Sequence, residues 1–187
     1  MGKYIITKTE IPDLVVIEPV VYRDDRGIFM ETYTRKNFIE QGINAEFVQD
    51  NYSKSAKGVL RGLHFQKEHS QAKLIRVVSG RIYDVTVDLR KNSETYGRSF
   101  GITLTAENKK QLFIPKGFAH GLLVLEDETE LIYKVDDYWF PNDEGGLLWN
   151  DPDICIKWPI KENDICNVIL SEKDKTWPIL KDLDSPF

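Results

Sequence analysis

Residues 81–89 read RIYDVTVDL, and their alternation decides the fold. Tyr83, Val85, Val87 and Leu89 point one way, and Asp84, Thr86 and Asp88 point the other. A period of two over nine residues is the mark of a half-buried β-strand. The same period recurs on both sides. Phe100, Ile102 and Leu104 share a face in SFGITLT, residues 99–105, and Leu131, Tyr133 and Val135 share one in residues 130–135. Further apolar runs occupy residues 14–21, 59–65, 73–79, 112–114, 121–125 and 145–149. Turn residues separate them, among them Asp24-Asp25-Arg26-Gly27, Ser79-Gly80, Pro115-Lys116-Gly117 and the stretch from Pro141 to Gly145. Helix signals are few: residues 35–41 (RKNFIEQ) stopped by Gly42, and a capped start at residues 171–174 (SEKD). Many short strands with few helices predict an all-β fold, a jelly-roll or cupin β-barrel with a few short peripheral helices. No repeat or linker divides the chain, so one domain is expected over residues 1–187. The last thirty or so residues lose the alternation and are expected to wrap the barrel.

Composition excludes several classes of function. Hydrophobic residues make up 41% and charged residues 29%, a globular and not a disordered balance. The net charge of −5 argues against nonspecific nucleic-acid binding, which needs surplus positive charge. No apolar run approaches the ~18–20 residues of a membrane span. The first residues lack the hydrophobic block of a signal peptide, and Ile6 breaks the myristoylation pattern that Gly2 would begin. Two cysteines, Cys155 and Cys166, give neither a disulfide framework nor a CxxC pair, so a cytoplasmic location is expected.

Chemistry-bearing residues concentrate in three segments: FVQDNYSKSAKGVLRGLHFQ (47–66), IPKGFAHG (114–121) and LIYKVDDYW (131–139). The first two can be set against the metal-binding cupin pattern G-x5-H-x-H, Glu-x6-G and P-x-G-x-x-H. Gly58 precedes His64 by the right interval, and Pro115, Gly117 and His120 fit the last element. Gln66 stands where the second His belongs, and Lys73, separated from Gly80 by six residues, where the Glu belongs. A lysine ammonium at a ligand position repels a divalent cation. His69 lies in a polar loop, so few donors remain to rebuild a site, and a barrel without a metal is expected. His, Lys and Tyr in a barrel mouth suit proton chemistry beside a carbonyl. Neutral His is a base near neutral pH, an ammonium stabilises an enolate, and a phenol returns a proton on the other face. Removal on one face and return on the opposite one is epimerisation. Taken singly the residues are less telling. His64 also suits a core, Tyr133 a packed aromatic, Lys73 a solvated edge strand and Asp174 a helix start. Trp139, Trp149 and Trp158 read as structural or as pocket walls.

The segments DRGIFMETY, FVQDNYSKS, VLRGLHFQ, VDLRKNSETYG, FIPKGFAHG, LIYKVDDYW, LLWNDPDICIKWP and LSEKD occur in that order over nearly the whole chain. In combination they resemble the dTDP-4-dehydrorhamnose 3,5-epimerase family. The resemblance implies a homodimer of jelly-roll barrels that acts, without a cofactor, on a dTDP-4-keto-6-deoxy sugar. It implies His64 as base, Asp174 as its orienting carboxylate, Tyr133 as acid and Lys73 as the enolate's partner. It further implies substrate binding by Arg26, Glu31, Gln49, Asp50, Asn51, Arg61, His120, Glu144 and Lys173, with Arg61 and Lys173 facing the diphosphate. Beside Lys73 the Tyr133 pKa is expected to fall. Monofunctional 3- or 5-epimerases and 3,4-ketoisomerases of the same sugar type stay open. A non-enzymatic sugar-binding cupin is disfavoured by the complete His, Asp, Tyr and Lys set. A metal-dependent cupin is disfavoured for want of ligands.

Overall fold

The structure is a computed structural model, and residues 3–187 are described; the myristoylation reading at Gly2 lies outside them. The strands run β1 (Tyr4–Lys8), β2 (Val15–Pro19), β3 (Val21–Asp24), β4 (Gly27–Met30), β5 (Gln49–Ser55), β6 (Leu60–Gln66), β7 (Lys73–Ser79), β8 (Arg81–Asp88), β9 (Ser99–Thr105), β10 (Gln111–Ile114), β11 (Phe118–Val124), β12 (Thr129–Val135) and β13 (Glu144–Gly146). One helix, α1 (Arg35–Glu40), lies between β4 and β5 and ends before Gly42, as the sequence predicts. Six strands form a sheet in the order β1-β2-β10-β7-β12-β5, and five form a second in the order β13-β6-β11-β8-β9. Neighbouring strands are antiparallel in both sheets. Two such sheets closed over a shared core make the expected jelly roll.

The inner core joins Val16, Ile75, Val77 and Leu131 of the first sheet, with Leu14 just before β2, to Ile82, Leu104, Leu122 and Val124 of the second. Leu63, Phe65, Val85, Val87 and Ala119 form another cluster on the outer face of the second sheet. Ile154, Ile156, Trp158, Leu180, Leu183 and Phe187 cover it. The C-terminal segment therefore does wrap the barrel, as expected. It holds on by side-chain packing, by one isolated bridge between Val59 and Ile169, and by backbone hydrogen bonds such as Leu148 N to Pro178 O and Lys91 N to Phe187 O.

This wrapping corrects the reading of β8. The apolar row of Val85 and Val87 faces the C-terminal wrap, while Asp84, Thr86 and Asp88 share a face with the core residue Ile82. All three polar residues are fully buried, so β8 is buried on both faces and not half-exposed. Three other expectations change. The run at residues 145–149 forms a strand only through Gly146. Residues 171–174 lead into a single 3-10 turn, Lys173–Lys175, and not a helix. Lys73 begins β7, which lies between β10 and β12, so it is no edge-strand lysine.

One close approach shapes the second sheet. A Cβ on Gly62, whose φ is +119°, would sit 2.7 Å from Gly121 Cα. Only glycine allows β6 and β11 to meet there. Two residues further along β6, His64 stands directly across from His120 of β11.

Candidate active site

The inner face of β6, β11 and β8 carries a row of polar side chains, because His64 pairs with His120 and His120 pairs with Thr86 across the sheet. Opposite, the inner face of β7, β12 and β5 carries Lys73, Tyr133 and Asn51, with Tyr133 paired to Ile75 and Asn51. Between them lies a cavity of two adjoining lobes, about 410 Å³ and about 250 Å³, which share His64, Lys73, Tyr133, Trp139 and Glu144. The larger lobe adds Arg61, His120, Ser171, Lys173 and Asp174, and the smaller adds Gln49, Asn51, Gln66 and Gln71.

His64 Nε2 lies 2.5 Å from Asp174 Oδ1. Asp174 is 3% exposed and also accepts from Trp177 Nε1 at 3.3 Å, and its backbone N donates to Ser171 Oγ at 3.3 Å. Burial pushes the Asp174 carboxyl up, but the hydrogen bond and charge of His64, with Ser171 and Trp177, outweigh it and hold it below the usual carboxylate range. An ionised carboxylate only accepts, so Nε2 of His64 is the donor in this pair and Nδ1 is turned away from Asp174. The turn that delivers Asp174 comes from the C-terminal wrap, so the packing that covers the outer face also completes the dyad.

Burial lowers the Lys73 pKa to about 8 against the opposing pull of Asp84 and Glu144. Tyr133 departs from expectation. Burial raises its pKa, and the charge that partly offsets this is Arg61, not Lys73. The phenol is thus held more firmly in its proton-bearing form than the sequence suggests. His120 Nε2 lies 3.1 and 3.0 Å from the two carboxylate oxygens of Asp84. Burial lowers the His120 pKa despite that carboxylate, and Lys73 and His64 push it in the same direction as burial.

Of the residues implied to bind substrate, Gln49, Asn51, Arg61, His120, Glu144 and Lys173 line the cavity. Arg61 Nη2 donates to Ser55 Oγ at 3.1 Å, and Lys173 Nζ donates to both Glu144 carboxylate oxygens at 2.7 and 2.6 Å. Three others lie outside it within this chain. Asp50 points out from β5 and accepts from Lys134. Glu31 is tied to Lys3, Tyr4 and Asn37. Arg26 sits in the β3–β4 hairpin, its side chain 90% exposed and paired to Asp24. Gln66 is engaged by backbone groups. Its amide donates to the carbonyls of His69 and Tyr138 and accepts from Phe140 N, which pins the loop bearing Trp139. Among the described residues no three His, Cys, Asp or Glu side chains gather as a metal site.

Sequence reasoning missed Asp84 and Trp177. The signal for Asp84 was present, since an alternating polar row opposite an apolar one can line a cavity as readily as face water. Nothing local marks Trp177.

A jelly-roll barrel whose mouth joins an Asp-paired imidazole to a desolvated ammonium and a partly buried phenol holds the groups that acid–base chemistry can use. The model of a family described as dTDP-4-dehydrorhamnose 3,5-epimerase matches residues 8–182. A curated protein of that name from Methanothermobacter thermautotrophicus is 50% identical over 182 residues, 97% of each chain. A crystal structure of dTDP-6-deoxy-D-glucose-3,5-epimerase from Legionella pneumophila, in complex with dTDP-4-keto-L-rhamnose, superposes with a TM-score of 0.91 at 44% identity, covering 97% of this chain and 95% of that one. A double mutant of a 3'-monoepimerase from Streptomyces bikiniensis, in complex with dTDP, has a TM-score of 0.85 at 30% identity, covering 93% of this chain and 86% of that one. The chain belongs to the dTDP-4-dehydrorhamnose 3,5-epimerase family and is an isomerase of that family.

Proposed function

We propose that the protein epimerises dTDP-4-dehydro-6-deoxy-D-glucose at C3 and C5 to dTDP-4-dehydro-L-rhamnose, with no metal or cofactor. The observation that carries this reading is the 2.5 Å contact of His64 Nε2 with Asp174 in a cavity shared with Lys73 and Tyr133. His64 Nδ1 takes the proton from a carbon α to the C4 ketone, and the C–H electron pair moves into the ring to form the enolate. The Lys73 ammonium holds the enolate oxygen. Tyr133 then gives its hydroxyl proton to the opposite face of the same carbon, the C4 carbonyl re-forms, and solvent exchange restores both groups. C3 and C5 flank one ketone, so one enolate site serves both. Arg61 and Lys173 face the diphosphate, and the 56% exposed Trp139 at the mouth offers a flat face to the base.

The chain works as one domain, and as a homodimer, since the β3–β4 hairpin exposes Tyr22, Ile28 and Phe29 beside Arg26. Arg26 and Glu31 then act on substrate from the hairpin side, and Asp50 through the β5 edge. Two exposed free cysteines, Cys155 and Cys166, suit a reducing cytoplasm. Incubation with dTDP-4-keto-6-deoxyglucose in D2O, with the deuterium located by NMR, tests the reading. Label at C3 and C5 with inversion at both supports it. Label at C3 alone identifies a monoepimerase, the activity carried by the Streptomyces bikiniensis relative.

A further inference from the structure

A second imidazole–carboxylate pair stands beside the first. His120 is the cross-strand partner of His64, and Asp84 lies two residues along β8 from Thr86, the other partner of His120. Asp84 is fully buried, and its two oxygens lie 3.1 and 3.0 Å from His120 Nε2. A buried carboxylate needs partners, and His120 is its only side-chain hydrogen-bond partner among the described residues. It can only accept, so Nε2 must donate. His120 Nδ1 has no hydrogen-bond partner among the described residues, while the ring lines the larger lobe of the cavity.

We infer that Asp84 is a positioning residue that fixes His120 in the Nε2–H form, so that Nδ1 offers its lone pair to a hydroxyl of the bound sugar. The inference rests on the reading of the cavity as a dTDP-sugar site and adds a selectivity device to it. Burial keeps the ring neutral, which the lone pair requires. A base-type dyad and a receptor-type dyad thus sit side by side on neighbouring strands. His64 presents its free nitrogen to a C–H, and His120 presents its own to an O–H. Asp84→Asn preserves shape but lets the side chain either accept from Nε2 or donate to it, so the ring form is no longer imposed.

The test combines isothermal titration with dTDP and with dTDP-glucose, an unreactive probe, and nitrogen NMR of the histidine rings. In the wild type the His120 Nε2 should carry the hydrogen, and the Nδ1 resonance should move on adding dTDP-glucose but not dTDP. In Asp84→Asn the ring should populate both forms. Affinity for dTDP-glucose should fall about tenfold, the worth of one hydrogen bond to a buried acceptor, while that for dTDP stays within about twofold. Equal weakening of both probes, unchanged dTDP-glucose affinity, or a wild-type ring carrying its hydrogen on Nδ1 overturns the inference. If Asp84→Asn does not fold, the wild-type ring form and its response to the two probes decide alone. A wild-type protein that binds neither probe sinks the epimerase reading and this one with it, whereas binding of both with a silent His120 sinks only this one.

Discussion

In the proposed mechanism the rate of proton removal rests on His64, because Nδ1 is the nitrogen left free once Nε2 faces Asp174 at 2.5 Å. His64→Ala should lower deuterium wash-in at both carbons by about 10²–10⁴-fold, the usual range for a general base, and Asp174→Asn should lower it less. Near-normal exchange at either carbon in His64→Ala would show that a different base serves it. Lys73 adds a pH dependence. Its pKa of about 8 means the ammonium is present below that pH and is lost as pH rises through it. The kcat/KM for epimerisation should therefore decline above about pH 8, well before an ordinary lysine titrates near 10.4. A profile flat to pH 10 would remove Lys73 from the enolate. Tyr133→Phe should lose inversion far more than exchange, since burial keeps the phenol protonated across this range. His64, Lys73 and Tyr133 were legible because motif spacing and strand alternation place them. Asp174 was not legible from the residues alone. It lies 110 residues from His64 and meets it only through the C-terminal turn, so the expectation of its role came from the family resemblance. The Tyr133 shift was misread because adjacency to a lysine says nothing about the depth of burial.

Strand alternation located β8, β9 and β12, and an apolar run located β7, yet neither signal showed β5. The sequence QDNYSKS has no apolar face, because Gln49, Asn51 and Ser53 turn toward a polar cavity instead of a core. The same physics inverted β8, whose polar row points inward because the C-terminal wrap supplies the apolar cover outside. At the end of that row Asp88 anchors the following turn. It accepts from Arg90 Nε and Nη2 at 2.9 Å each, from Ser93 Oγ at 2.6 Å and from Thr95 Oγ1 at 2.7 Å. Burial alone would raise the Asp88 pKa, but those partners bring it to about 2. Its stabilising effect is complete above the unfolded value of 3.8 and is lost as pH falls through about 2. Asp88→Asn should cost on the order of 3 kcal/mol in urea unfolding at pH 7, since it breaks a buried ion pair from one side. Between about pH 4 and pH 2 the wild type should lose stability more steeply than the variant. Parallel curves over that window would mean that the Asp88 charge contributes nothing to folding.

At the scale of the whole molecule, one pair of the described strands has no place in either large sheet. The β3–β4 hairpin pairs only with itself, and a lone two-stranded ribbon is marginal in water. Tyr22 is 55% exposed, Ile28 46% and Phe29 71%, an apolar surface that a second copy of the chain would cover. Arg26 at its tip is outside the cavity of its own chain. If the hairpin of one subunit reaches the cavity mouth of the other, two defects on different subunits should compensate. An Arg26→Ala subunit keeps its own His64, and a His64→Ala subunit keeps the Arg26 that its neighbour needs. In a mixed dimer one of the two sites then has both residues, and the other has neither. Statistical mixing of equal amounts makes half the dimers mixed, so about a quarter of all sites should recover activity. Each variant alone should be far below that level, and Phe29→Asp should run as a monomer in light scattering while keeping its β-sheet circular dichroism. The mixing experiment needs subunit exchange, which differently tagged chains report directly. Exchanged dimers with no gain over the better single variant would mean that Arg26 serves no neighbouring cavity, and the exposed hairpin would then need another explanation.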